Sequence, residues 1–218
     1  MKWWKIVTIS LLLYVVVGAL LFEVPRLPIL NETIRNLHFH VPMWFGMVVM
    51  MSISVGYSIN YLRTSSLIAD TWAVEAANTG ILFGVLGILT GMVWAKFTWG
   101  DYWSNDPKQN ASAIALLIYF AYLLLRNSLA DQGQKARIGA VYNIFAFATY
   151  IPLIFVLPRL TDSLHPGNGG NPGFNAYDLD SKLRLIFYPA VIGWILLGYW
   201  LTSSKVKLSL LSQKIMEN

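Results

Sequence analysis

AVEAANTGILFGVLGILTGMVW, from Ala73 to Trp94, decides the fold class, because it is one apolar run in which Glu75 is the only ionisable side chain. Crossing the hydrocarbon core of a bilayer takes about 20 residues of α-helix, and this run has that length. Five more runs share its character: Ile6–Phe22, Val41–Tyr61, Ala111–Leu125, Ile138–Leu157 and Leu185–Leu201. The run at Ala111 is short, but Asp106-Pro107 ahead of it reads as an N-cap followed by proline at the first helical position. The first run follows Lys2 and Lys5, as a signal peptide would. Its apolar core is longer than an h-region and no A-x-A site follows, so a retained helix is expected. The expectation is an all-α, polytopic integral membrane protein with six transmembrane helices. It is a single domain over residues 1–218, with outer loops at 23–40, 95–110 and 158–184.

Composition agrees. Hydrophobic residues make up 56% of the 218 positions and charged residues 12%, with a mean hydropathy of +0.53. A soluble domain carries about twice that charged fraction. The absence of cysteine excludes disulfides, thiolate metal sites, iron–sulfur clusters and thioether attachment of a haem. The net charge of +5 comes from basic residues at the ends of apolar runs, which is a membrane-flank pattern and not a nucleic-acid surface. No GxxxxGK[ST], HExxH or Ser/His/Asp grouping occurs, so neither an ATPase site nor a hydrolytic site is expected. Glu75, one turn inside its run, and the pair Asp178 and Asp180 read as structural.

Orientation follows from Lys and Arg near the spans. Nine lie on the side of both termini (Lys2, Lys5, Arg63, Arg126, Lys135, Arg137, Lys205, Lys207, Lys214) and seven on the other (Arg26, Arg35, Lys96, Lys108, Arg159, Lys182, Arg184). The nine occupy shorter segments and are denser, which predicts cytoplasmic termini. Whatever the orientation, six spans put the loops after the first, third and fifth on one side. Those loops hold all three histidines, His38, His40 and His165, and the densest aromatic cluster.

That cluster is WAKFTWGDYWSNDPKQN, Trp94–Asn110, with aromatics at Trp94, Phe97, Trp99, Tyr102 and Trp103. If Trp99–Asp106 is helical, Trp99, Trp103 and Asp106 share one face and form a flat apolar platform in the membrane interface. An aromatic belt is the plainer explanation for such residues, and it suffices for Trp3, Trp4, Trp72 and Trp200. The histidines favour the platform. His40 in NLHFHVPMW and His165 in TDSLHPGNGG flank it, and neutral imidazoles are common axial ligands to haem. An extended backbone would point His38 the same way as His40 and make it a substitute. As a cap alone, Asp106 is worth about 1 kcal/mol, and Asp106→Asn is then expected to be nearly silent.

GMVWAKFTWGDYWSNDPK, Gly91–Lys108, resembles the tryptophan-rich signature of the CcmC/CcmF/CcsA haem-handling superfamily, with Trp99, Gly100, Tyr102, Trp103, Asp106, Pro107 and Lys108 in register. HVP at His40–Pro42 and LHPG at Leu164–Gly167 resemble its two histidine motifs, and chain size favours the CcmC branch. Asn105 stands where the family usually has Trp, and Gln109-Asn110 replaces an acidic-Thr continuation common in CcsA. The resemblance implies a haem-handling protein of the bacterial inner membrane with no turnover reaction of its own. It further implies that haem b is held non-covalently at the periplasmic face by His40, His165, Trp94, Trp99, Tyr102, Trp103 and Asp106, with the two histidines on the metal. The partners it implies are the haem chaperone CcmE, as recipient of the haem, and the transporter subunits CcmA, CcmB and CcmD. Two other readings stay open: a CcsA-like cytochrome c synthetase, and a permease or anchor subunit without haem. The synthetase is expected to need histidines inside its helices, and the apolar runs contain none.

Overall fold

The computed structural model describes residues 2–25, 30–165 and 179–216; Arg26, Pro166-Gly167 and Asp178 lie outside them. Six helices are long and apolar enough to cross a membrane: α1 (Trp3–Leu21), α2 (Leu37–Thr64), α3 (Leu67–Trp99), α4 (Pro107–Ser128), α5 (Gln132–Leu160) and α6 (Ser181–Met216). A 3-10 turn, Asn31–Asn36, leads into α2. Among the described residues there is no strand. Large apolar side chains such as Leu13, Leu117, Leu124, Phe145 and Leu185 point outward, as they must when the solvent is lipid and only the backbone has to be satisfied internally.

Several helices outrun the apolar segments, because hydropathy marks the bilayer and not the helix end. The consequence matters at α2. His38 and His40, expected in a loop, lie in its first turn. Pro42 is tolerated there although it supplies no N–H to the carbonyl of His38. The expected start of α4 is observed: Asp106 accepts from the Lys108 N–H at 2.9 Å and Pro107 opens the helix. Asp180, expected to be solvated loop, caps α6 by accepting from the Leu183 N–H at 2.8 Å. Inside α5, Pro152 removes one ladder donor and the helix widens into a π segment, Pro152–Val156.

The helical pair α2/α3 is the frame of the bundle. Ser65 takes a left-handed conformation (φ 55°) and Ser66 caps α3, so the chain reverses in two residues. The helices then run antiparallel along a stripe of glycines on α3. Met51 of α2 lies against Gly80, Met47 against Gly84, Trp44 against Gly87 and His40 against Gly91. Each Cβ-less position admits a side chain that a larger residue would exclude, the packing device of helices that have no hydrophobic force to join them in lipid. Polar groups fasten the far end. Arg126 of α4 forms a two-armed ion pair with Asp70 of α3, both bonds 2.8 Å and both residues buried. Asn143 of α5 donates to Ser54 and Ser58 of α2 at 2.7 and 2.8 Å.

The glycine stripe makes a quantitative prediction. A Cβ on Gly87 would stand 2.8 Å from the rigid Trp44 indole, whereas Gly56 has nothing within 4 Å of such an atom. Gly87→Ala should therefore destabilise the purified protein by roughly 1–3 kcal/mol through overpacking. Gly56→Ala should be neutral or stabilising by up to about 1 kcal/mol, the helix-propensity gain. Thermal unfolding of both variants in detergent checks the contrast.

Candidate functional site

Histidines 40 and 165 and the tryptophan-rich segment converge at the end of the bundle where α2 and α4 begin and α3 and α5 end. His40 is buried. Its Nδ1 lies 2.9 Å from the Gly87 carbonyl oxygen and 3.2 Å from the Thr90 hydroxyl. A carbonyl can only accept, so Nδ1 carries the proton and Nε2 the lone pair. Among the described residues Nε2 has no hydrogen-bond partner. The ring is penned by Trp94, edge-on at 5.8 Å between centroids, by Trp44 at 6.4 Å, and by Gly91, where a Cβ would stand 2.6 Å from the His40 Cε1.

His165 is held by a different route to the same end. Its Nδ1 donates to Asp106 Oδ1 at 2.8 Å, and its ring meets Trp99 edge-on at 4.8 Å. Asp106 is buried. Its other oxygen accepts from the Ser163 hydroxyl at 2.8 Å and the Leu164 N–H at 2.7 Å. Burial opposes the charge on this carboxyl. The hydrogen bond from His165, that from Leu164, the field of His165 and the Ser163 hydroxyl together outweigh burial and hold the carboxyl well below the usual carboxylate range. An ionised carboxylate accepts only, so His165 also carries its proton on Nδ1. The two histidines lie within electrostatic range of each other, with Lys108 also in range of His40.

Four expectations need correcting. Residues Gly100–Asp106 are not helical. α3 ends at Trp99, and Gly100 turns the chain at φ 96°. Trp99 and Trp103 therefore do not share a helix face; Trp99 stands beside His165, whereas Trp103 donates its Nε1–H to Asn110 Oδ1 at 3.0 Å. Second, the backbone at His38 is helical, so His38 and His40 diverge by roughly 200° around the axis and His38 is no substitute. It is fully enclosed, and among the described residues neither ring nitrogen has a partner. Third, Asp106 is more than a cap: one carboxylate joins the start of α4 to the segment after α5. The expectation that helix histidines are lacking also fails, since two begin α2.

Local chemistry accounts for the rest of the loop. Asn105 adopts φ 55°, a left-handed conformation that Asn tolerates and a bulky ring does not. Gln109 accepts from Ser104 N–H and hydroxyl, each at 3.0 Å, and the Asn110 amide donates to the Asn105 carbonyl at 3.1 Å. The two residues that depart from the CcsA pattern thus fold the loop back on α4. Tyr102 is exposed, with the Lys96 ammonium 5.6 Å above its ring. Trp94 donates to the Thr33 hydroxyl at 3.3 Å. Gly87, Thr90 and Gly91 were missed by sequence reading, although the glycine spacing of ILFGVLGILTG signalled that something packs closely there.

A family model of CcmC, haem exporter protein C, matches residues 1–218. The chain belongs to that family. The haem exporter protein C of Bradyrhizobium diazoefficiens is 32% identical over 136 residues, 62% of this chain and 51% of that protein. The cytochrome c biogenesis protein CcsA of Pelargonium hortorum is 40% identical over 93 residues, 42% of this chain and 29% of that one. CcsA of Prochlorococcus marinus is 37% identical over 87 residues, 40% and 27% respectively. The matched stretch thus spans about half of one relative and under a third of the others.

The Asp106 junction is directly testable. Asn offers one accepting oxygen where the carboxylate serves Lys108, Ser163, Leu164 and His165. Asp106→Asn should therefore cost roughly 2 kcal/mol locally, the worth of a charge-assisted bond. Amide hydrogen exchange should show protection at Leu164 falling about thirtyfold while the α2/α3 core is unchanged.

Proposed function

We propose that this chain holds haem at the histidine end of its bundle for the maturation of c-type cytochromes, and passes it on without transforming it. The observation that carries the reading is the matched state of His40 and His165. Each is pinned through Nδ1 to a group that only accepts, which leaves Nε2 as the nitrogen each ring can offer to a haem iron. Trp94 and Trp99 stand edge-on to the two rings, leaving apolar surface for a porphyrin. With no cysteine in the chain the haem, a haem b, is bound non-covalently and can leave. Membership of the CcmC family supports haem handling as the task. The partners that follow are a haem chaperone, CcmE, as acceptor, and the transporter subunits CcmA, CcmB and CcmD. The setting is a bacterial inner membrane, with the site on the periplasmic side and both termini in the cytoplasm.

The similarity to CcsA proteins favours a second reading, a component of a cytochrome c synthetase. Haem delivered to a chaperone supports the first reading. Haem attached to an apocytochrome by this chain without a chaperone supports the second.

The ligand assignment predicts a low-spin, six-coordinate spectrum for the haem-loaded protein. His40→Ala or His165→Ala should leave a five-coordinate form or none, and His38→Ala should keep six-coordination. Trp99→Ala should lower haem occupancy, since a large buried side chain is worth roughly 1.5–3 kcal/mol, without changing coordination. Absorption spectra of the four purified variants decide it; an unchanged spectrum in both His40→Ala and His165→Ala removes the assignment.

The orientation has its own test. Reporters fused after Gln132 and after Asn171 should fall on opposite sides of the membrane, with the Asn171 fusion outside. Two fusions on the same side contradict the six-span topology.

A further inference from the structure

The opposite end of the bundle carries a second feature that haem handling does not use. A cleft of about 610 Å³ opens between the start of α1, the start of α3 and the later turns of α6. Trp72 on its wall and Trp94 at the histidine end lie on the same helix, separated by roughly 30 Å of helical rise. That is the thickness of a bilayer core, so the cleft sits at the other membrane interface.

Three lysines line it, Lys2, Lys5 and Lys207, and among the described residues none of them forms an ion pair. Among the described residues, the acidic groups of this end are engaged elsewhere. Asp70 is held by Arg126, Glu75 accepts from Asn78 at 3.3 Å, and Asp131 caps α5. Lys2, at the N-cap of α1, makes no side-chain capping bond, so the positive end of that helix adds to the field. The hydroxyls of Ser203 and Ser204 are also on the wall.

The remaining wall is aromatic and rigid. Trp72 stacks between Tyr57 (5.1 Å) and Tyr199 (6.2 Å), and Trp4 meets Tyr199 at 5.7 Å. Lys5 is held 4.5 Å above the Trp200 ring. The helices that flank the cleft continue into the membrane with Ile6, Ile9 and Leu13 of α1 and Ile192 of α6 exposed, a surface suited to acyl chains.

We propose that this cleft is a binding site for the phosphate headgroup of an anionic phospholipid. Basic pockets between transmembrane helices select such headgroups, because each ammonium near the surface attracts the anion and the bilayer supplies it. A zwitterionic lipid carries its own cation and gains little. Haem would bring two carboxylates, but the lining residues hold no histidine or methionine for its iron. The lipid is therefore the occupant, and this site is independent of the haem reading.

Native mass spectrometry of the detergent-purified full chain, with phosphatidylglycerol or phosphatidylcholine added, tests the proposal. Phosphatidylglycerol should be retained with a preference of roughly tenfold or more. A Lys2→Gln/Lys5→Gln/Lys207→Gln variant should lose that preference, and the corresponding Lys→Arg variant should keep it. Arg63→Gln/Arg137→Gln/Lys205→Gln removes the same charge from the same end outside the cleft and should also keep it. Equal retention of the two lipids overturns the site. So does loss of preference in the Arg63/Arg137/Lys205 variant, which would mean diffuse attraction, or displacement of the lipid by equimolar inorganic phosphate, which would mean a soluble anion. Haem occupancy should be the same in all three variants, and its loss in the Lys2/Lys5/Lys207→Gln variant would transfer the cleft to haem.

Discussion

The fit of α2 side chains into the glycine stripe of α3 is the constraint from which the rest of the structure follows. Gly80, Gly84, Gly87 and Gly91 recur at alternating spacings of four and three, one face of a helix, and receive Met51, Met47, Trp44 and His40 in reverse order. Because lipid offers no hydrophobic reward for joining two apolar helices, close van der Waals packing must set their register. The last position of this stripe belongs to the candidate site. His40 is therefore both a packing residue and a candidate ligand, and the groove that fixes the helix register also fixes its ring.

The second half of the site is built in a different way. The described residues that carry His165, 161–165, follow α5 outside any helix. They are anchored by one ionised carboxylate, Asp106, which spends one oxygen on the α4 N-terminus and His165 and the other on Ser163 and Leu164. Burying a charge is costly unless its acceptor capacity is filled, and here four donors fill it. One histidine is thus preorganised by helix packing and the other by a hydrogen-bonded charge.

The ends of the bundle divide the labour. At the histidine end Phe97 and Tyr102 are exposed, and His40 and His165 are each held through Nδ1. At the other end, Arg126 with Asp70 joins α4 to α3, and Asn143 with Ser54 and Ser58 joins α5 to α2. Removing one partner of a buried ion pair leaves an uncompensated charge worth about 3–5 kcal/mol. This end is therefore held as a fixed base, from which the helices carry the site across the membrane.

The amino-acid sequence determined the fold class and the cast of the site. Runs of about 20 apolar residues admit only membrane-spanning helices. Asp106-Pro107 marked the start of α4, and the shared sidedness of alternate loops grouped the histidines with Trp94, Trp99, Tyr102 and Trp103. The site's geometry was not legible there. Hydropathy ends where the bilayer ends, so it placed His40 in a loop when the helix had already begun. A helical period imposed on Trp99–Asp106 put Trp103 beside Trp99, because nothing local announced that Gly100 would take a positive φ and stop the helix. The role of Asp106 depended on contacts with Ser163, Leu164 and His165, nearly sixty residues away in sequence. Which nitrogen each histidine presents was decided by a carbonyl on a neighbouring helix and a carboxylate on another. Such pairings exist only once the chain has packed, since a hydrogen bond is specified by the position of both partners and a sequence specifies each alone.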